Sequence, residues 1–390
     1  MKKIIVLVFI MVLVANMSIS YGQDIDIKGK AALLMDEETG KILYEKNIKE
    51  VFPPASITKL MTYLVTMDEI QKGKISLEDE VIISERAARE RGATYHLVSG
   101  EKIKLKDLIE VMMIISANDA AFAISEHIGG SMEDFVYMMN EKAKEIGLND
   151  THFYNPNGMP QKNGDNLMTA KDIAFLAKHI IDHHKEVLTL TDQEFYENPM
   201  RNFYKENTNK LLKIIPQVDG LKTGYTDAAG YCLASSMKVN KNSEDEKDFR
   251  LIAVVLGTDS EEARFKESKK LLEYGSEGFV KKRIVKKHEK IKTIHLWKEK
   301  TLPINILAKE DIWTLGPKEN IEKSREILLV EKMPYPISKG QKIGELKIDT
   351  YDGKIIKTDL LSDKDIRKLP FKIFITNFFH IFASIFSSIW

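Results

Sequence analysis

The chain of 390 residues has a single cysteine, Cys232. An intrachain disulfide is therefore excluded, and so is a metal centre built on clustered thiolates. An excess of either charge is also missing: 58 basic residues stand against 58 acidic ones. Nucleic-acid binders carry a basic surplus, so no nucleic-acid partner is expected. No internal repeat and no low-complexity tract is present, and no H-E-x-x-H stretch accompanies the histidines. His179 and His183 of "HIIDHHK" stand four apart, but without the H-E-x-x-H glutamate or any other obvious ligand. They read as a solvated helix face, and neither a metal nor a cofactor is expected. Cys232 reads as a small buried apolar residue.

What is present points to an exported, mostly soluble protein. The length suits two domains, or one large domain with additions. Hydrophobic residues make up 43% and charged residues 30%, as in a globule. The N-terminus, "MKKIIVLVFIMVLVANMSISYG", has a basic start at Lys2 and Lys3, an apolar stretch from Ile4 to Val14, and small residues at Ser20 and Gly22. This is a signal peptide spanning 1–22, cleaved after Gly22 with Ser20 as the alternative, or else an uncleaved anchor. Its removal leaves 56 basic against 58 acidic residues, a net charge of −2. At the other end, residues 367–390 place Phe371, Phe374, Ile375, Phe378, Phe382, Ile385, Phe386 and Ile389 at three- and four-residue steps. On a helix these form one apolar face, with Thr376, Asn377, His380, Ser384, Ser387 and Ser388 opposite. Arg367, Lys368 and Lys372 lie at its start, where anionic head groups would attract them. An amphipathic helix in the membrane interface fits best. A helix packed on the body and a membrane span are the alternatives.

Between these ends the pattern is strand, then helix, then strand. Residues 30–47 form two apolar stretches around Asp36-Glu-Glu-Thr-Gly40, a hairpin signal. Helical spacing begins at residue 56 and dominates from about 85 to 200. Residues 218–257 carry "VDGLKTGYT", "GYCLASSMKV" and "FRLIAVVLGT", which read as strands, and a charged helix follows at 260–274. The first and last strands then pair in one antiparallel sheet with helices around it, an α+β fold. The basic stretch "KKRIVKKHEK", 281–290, reads as a boundary that ends a domain over 23–285. The short strands "IKTIHLW", "TLPINILA", "EILLVEKM", "QKIGELKID" and "KIIKTDLL" make a small all-β domain over 291–362.

Three short stretches bear on chemistry. In "PPASITKLMT", Ser56 and Lys59 are three apart, hence on one face of a helix. A serine attacks well only when a neighbouring base takes its proton. A lysine serves as that base only if burial and a nearby second cation lower its pKa. In "ISANDAA", Ser116 and Asn118 are two apart; alone they read as helix caps. In "VDGLKTGYT", Lys222, Thr223 and Gly224 lie in a strand. A lysine there is out of place unless it faces a cleft, and the glycine leaves room for close approach. Each stretch alone is weak. In this order, S-x-x-K, S-x-N and K-T-G are the triple of penicillin-binding proteins and class A β-lactamases.

The chain resembles the low-molecular-mass penicillin-binding proteins, the serine-type D-Ala-D-Ala carboxypeptidases, over nearly its whole length. Besides the triple, "FVYMMNEKAKEIGLNDTHFYNPNGMP", the β-domain and the amphipathic end are similar to that family, the sporulation-type enzymes above all. The resemblance implies a β-lactamase/DD-peptidase-like antiparallel sheet flanked by helices. It implies peptidoglycan stem peptides as substrate, acylation by β-lactam antibiotics, and a place on the outer face of the cytoplasmic membrane. It makes Ser56 the nucleophile and Lys59 its base. Ser116 would relay a proton and Asn118 would orient substrate and lysine. Lys222 becomes the second cation and, with Thr223, meets the terminal carboxylate. The backbone N–H groups of Ser56 and Tyr225 become the oxyanion hole. Tyr225 stands where some members carry histidine. A DD-endopeptidase or transpeptidase would use the same residues, and a non-enzymatic wall-binding protein would show a broken triple. A class A β-lactamase would need a glutamate held with an asparagine for deacylation, for which no convincing E-x-x-L-N stretch is found between Asn118 and Lys222.

Overall fold

A computed structural model describes residues 25–162, 164–241, 243–296, 302–330, 333 and 336–367. The expected signal peptide, and the amphipathic helix apart from Arg367, lie outside the described residues. Contacts divide the chain into two compact units, one built from 22–241 and 248–278, the other from 242–247 and the chain from 279 onward.

The first unit is organised by a five-stranded sheet. Strand β1 (Ala31–Asp36) is buried at all six positions, as a strand covered on both faces must be. The chain reverses through residues 37–40, where Gly40 N–H donates to Asp36 O at 2.9 Å, and returns as β2 (Ile42–Lys46). The other strands come nearly two hundred positions later: β3 (Val218–Thr226), β4 (Gly230–Val239) and β5 (Phe249–Thr258). Their order is β2-β1-β5-β4-β3 and every pairing is antiparallel. Ala31 lies opposite Leu256, so the first strand does pair with the last. Side-chain alternation gives the sheet two apolar faces. Leu33, Met35, Ile252 and Val254 join the helical core. Leu34 and Leu251 instead meet α6 (Glu261–Gly278) at Gly275, where a side chain would collide with both.

The helical part supplies the other wall of the site. It consists of α1 (Lys59–Gln71), α2 (Leu105–Ile114), α3 (Asn118–Gly129), α4 (Met132–Glu145) and α5 (Ala170–His183). From Lys59 to Met67 every residue of α1 is buried, which marks it as the central helix. Helices α4 and α5 start at Ser131 and Thr169, whose hydroxyls accept from the N–H groups of Asp134 and Asp172. An internal ion cluster ties α1 to α4 and to the end of α5. Asp68 accepts from Lys142 Nζ at 2.7 Å and from His184 Nε2 at 2.9 Å. Burial opposes ionisation of this carboxyl, yet the two donors hold it down to about 2. His184 thus departs from the solvated face expected of "HIIDHHK": it is buried just beyond the helix. His179 and His183 stack with ring centroids 4.1 Å apart, and His183 is exposed.

The second unit is all β. Strands β7 (Lys290–Leu296), β8 (Leu302–Ala308), β10 (Glu322–Leu329), β11 (Lys342–Thr350) and β12 (Ile355–Ser362) form a sheet in the order β7-β8-β12-β11-β10. They correspond to the five apolar stretches seen in the sequence. Two further strands were not foreseen. β6 (Phe279–Val285) pairs with residues 246–247 and with β9 (Ile312–Pro317). β6 covers half of the basic stretch taken as a boundary. Its end residues Phe279, Val280, Ile284 and Val285 are buried, and the lysines and arginine between them hide that pattern. Arg283 is held by Asp245 at 2.6 Å. Ile304, Ile306, Ile343, Leu346, Ile348 and Leu360 make the core.

Candidate active site

Ser56 sits in a 3-10 turn (Ala55–Thr58) that leads directly into α1. Ala55 takes a left-handed backbone, φ +50°, which an L-residue adopts only when its surroundings compel it. The surroundings are tight on two sides. A side chain at Gly224 of β3 would come within 2.6 Å of Pro54 O and 3.2 Å of Ser56 N. A side chain at Gly158 would overlap the Ala55 carbonyl outright. Only glycine permits either approach, so K-T-G and N-P-N-G both press on the nucleophile turn.

Lys59 is the first residue of α1 and fully buried. Its Nζ lies 2.8 Å from Ser56 Oγ, 2.7 Å from Asn118 Oδ1, 3.0 Å from Asn157 O and 3.4 Å from Ser116 Oγ. A neutral amine has two N–H donors and one lone pair. The two oxygens of Asn118 and Asn157 accept the N–H groups, which turns the lone pair toward the Ser56 hydroxyl. The amine is held well below the usual lysine range, first by burial and then by the charge of Lys222; Asp119 and Glu90 pull the other way.

Ser116 precedes α3 with φ +66°, and Asn118 opens that helix. Asn118 is fixed at both ends: its N–H donates to Ala93 O at 2.7 Å and its Nδ2 to Arg91 O at 2.6 Å. The same stretch is pinned by Asp119, whose buried carboxylate accepts from Tyr95 N at 3.0 Å and Leu97 N at 3.1 Å.

Lys222, Thr223 and Gly224 lie on β3, the edge of the sheet. Lys222 is 1% exposed; burial, then the charge of Arg264, lowers its amine to about 7. Thr223 donates to Thr208 Oγ1 at 2.7 Å. Tyr225 does not line the buried part of the site. It is 48% exposed, donates to Asp227 at 2.8 Å and lies against Tyr231 with centroids 4.2 Å apart. Cys232, opposite Gly224 in the ladder, is buried, and burial pushes its thiol up to about 11.

The structure therefore joins Ser56, Lys59, Ser116 and Asn118 by hydrogen bonds and brings Lys222 and Gly224 against them. Three contributors were not singled out from the sequence. Asn157 acts through its backbone carbonyl. Arg264 is buried on α6, donates to Gly224 O at 3.3 Å, and lies over Phe265 and Tyr231. Glu90 accepts from Asn157 Nδ2 at 2.8 Å. Among the described residues no group of three or more His, Cys, Asp or Glu side chains is placed to hold a metal ion.

The chain is similar to known proteins over most of its length. The profile of the D-alanyl-D-alanine carboxypeptidase family matches residues 17–260, and that of the penicillin-binding protein 5 C-terminal domain matches 279–368. The D-alanyl-D-alanine carboxypeptidase DacF of Bacillus subtilis is 35% identical over 353 residues, covering 89% of this chain and 88% of the relative. The crystal structure of the D-alanyl-D-alanine carboxypeptidase DacD from Francisella tularensis superposes with a TM-score of 0.69 at 29% identity, covering 90% of this chain and 96% of that one. Penicillin-binding protein D2 of Listeria monocytogenes, solved in its ampicillin-bound form, superposes with a TM-score of 0.58 at 30% identity, covering 65% of this chain and 98% of that one. With a sheet-and-helix unit carrying the Ser56–Lys59 pair, followed in sequence by a β unit, the chain belongs to the D-alanyl-D-alanine carboxypeptidase family.

Proposed function

We propose that this protein is a serine-type D-Ala-D-Ala carboxypeptidase that removes the last D-alanine from peptidoglycan stem peptides. The observation that carries the reading is the placement of Lys59: buried, its two N–H groups engaged by Asn118 and Asn157, its remaining valence directed at Ser56 Oγ. Lys59 takes the hydroxyl proton as Ser56 Oγ bonds to the carbonyl carbon of the penultimate D-alanine. The N–H groups of Ser56 and Tyr225 receive the oxyanion. Lys222 and Thr223 hold the terminal carboxylate, and Arg264 keeps positive charge close behind them. The proton passes through Ser116 to the leaving amine, the C–N bond breaks and D-alanine departs. Water then attacks the ester, the proton returns to Ser56 Oγ, and the shortened peptide is released. A β-lactam offers the same kind of carbonyl, but its leaving nitrogen stays tethered, so the acyl-enzyme persists.

The test uses the unaltered protein. Fluorescent penicillin is expected to label it, with the added mass on the peptide containing Ser56, and a peptide ending in D-Ala-D-Ala is expected to release D-alanine. Labelling at another residue, or no D-alanine release, would overturn the reading.

The substrate and the expected leader place the enzyme outside the cytoplasm. No helix among the described residues is long and apolar enough to cross a membrane. We assign membrane attachment to residues 371–390, lying in the outer interface. Each fully covered phenylalanine or isoleucine contributes roughly 1.5–3 kcal/mol, so several partly inserted ones suffice to localise a helix. Removing 371–390 is expected to move the enzyme to the soluble fraction with near-normal turnover on a small peptide. An unchanged membrane-bound fraction would rule the segment out as the anchor.

A further inference from the structure

The one literal E-x-x-L-N match in the sequence, Glu145 to Asn149, starts at the last residue of α4, where Glu145 accepts from Lys142 at 2.8 Å. The folded chain instead sets a different glutamate and asparagine together beside the catalytic pair. Glu90 Oε2 accepts from Asn157 Nδ2 at 2.8 Å. The backbone carbonyl of that same Asn157 takes Lys59 Nζ at 3.0 Å and lies 3.5 Å from Ser56 Oγ. Both partners are rigidly mounted. Asn157 is 2% exposed, and its N–H and that of Gly158 donate to Asn155 Oδ1. Asn155 in turn is bonded to Asn166, which donates to Thr58 Oγ1 at 2.9 Å, back on the nucleophile turn. Glu90 begins the stretch whose Arg91 and Ala93 carbonyls hold Asn118. The Glu90–Asn157 contact closes a ring between two segments, one that touches Lys59 directly through Asn157 O and one that reaches it through Asn118.

We propose that Glu90 is a positioning residue for the Ser56–Lys59 pair: its carboxylate fixes Asn157, and its negative charge offsets part of the repulsion that Lys222 exerts on Lys59. The charged groups that bear on the pair are few. Lys222 faces Lys59 from β3, Asp119 from α3 and Glu90 from its own segment; Arg86 and Asp119 act on Glu90, and Arg264 acts on Lys222. Burial raises the Glu90 carboxyl above its ordinary range, while Asn157 and Lys59 favour its charged form. Lys59 works as a neutral base, so acylation rises with pH through its titration. A nearby negative charge holds that titration up, and losing the charge moves it down.

The proposal rests on the reading of Ser56 and Lys59 given above, and its test is acylation of the full chain in mild detergent by a chromogenic cephalosporin across the pH range. E90Q retains an acceptor for Asn157 Nδ2 but loses the charge; its acid limb is expected at lower pH than that of the unaltered protein. N157A keeps the Glu90 charge but breaks the contact; its limb is expected to stay while the plateau rate falls by about tenfold, the scale of one buried partner lost. E90A is expected to show both effects. Superimposable limbs for E90Q and the unaltered protein would overturn the proposal. So would variants that acylate with the unaltered profile but hold the acyl group longer, since Glu90 would then serve the hydrolytic water. If the unaltered protein forms no acyl-enzyme, the assignment of Ser56 falls first and this role with it. If E90A does not fold, E90Q and N157A still decide.

Discussion

Lys59→Arg is expected to slow acylation by penicillin by about 10²–10⁴-fold, the range general-base catalysis contributes. Charge is conserved by this change; what is lost is the ability to shed a proton. Lys59 is fully buried, and burial and then the charge of Lys222 depress its amine, which favours the neutral form that can act as a base. A guanidinium stays protonated far above that range and has no lone pair to offer Ser56. It also brings five donors into a space where the lysine meets Asn118 Oδ1, Asn157 O and two hydroxyls. The check is the time course of penicillin labelling, followed with the folded state monitored by circular dichroism. A folded variant acylating within tenfold of the unaltered protein would show that Lys59 is not the base.

Gly158→Ala is expected to cost both stability and activity. At φ +81° a non-glycine residue is strained by about 1–2 kcal/mol before any neighbour is considered. Here the added methyl also overlaps the Ala55 carbonyl and approaches Thr58 Oγ1 to 2.9 Å, neither of which is a flexible side-chain end free to swing away. The loop must therefore move, and Asn157 O, one residue back, moves with it. Misplacement on the order of 1 Å near reacting groups costs about 10²-fold in rate. Thermal unfolding should fall by several degrees, at roughly 2–4 °C per kcal/mol for a domain of this size. Labelling measured well below the transition should still be slow. An unchanged melting temperature with unchanged labelling would mean that the turn at Ala55 yields freely, contrary to the packing described.

The parts of the site visible in the sequence are those that act through distinctive side chains in a fixed order. Ser56 and Lys59, Ser116 and Asn118, and Lys222 to Gly224 carry the chemistry in their residue types, and the requirement for a second cation follows from the lysine alone. The parts that stayed hidden act otherwise. Asn157 contributes a main-chain carbonyl, which any residue type would possess. Arg264 lies among the charges of "EEARFKESKK", where nothing in its spacing separates a buried arginine from a solvated one. Glu90 matters only because residues 90 and 157 meet in space. The same holds for the fold. Apolar runs such as "FRLIAVVLGT" gave their strands directly, whereas β6 was masked by Lys281, Lys282 and Arg283 in its middle. His184 looked like one more histidine of an exposed helix, although its burial against Asp68 depends on a partner more than one hundred positions away.

The placement of β1 between β2 and β5 bears on when the enzyme comes into being. Ala31 finds its partner at Leu256, so the middle of the sheet stays open until almost the whole first unit has been made. The site has the same property: its pieces come from the segments around 56, 90, 117, 157 and 223, with Arg264 last. Contacts this distant along the chain form late and together, since loop closure must come before any of them is rewarded. No fragment ending before β5 contains both the central pairing and a supported β3. On the role proposed for Ser56, its covalent capture of a penicillin would accordingly count the molecules that have completed folding, and the antibiotic would serve as a probe of conformational maturity as well as of catalysis.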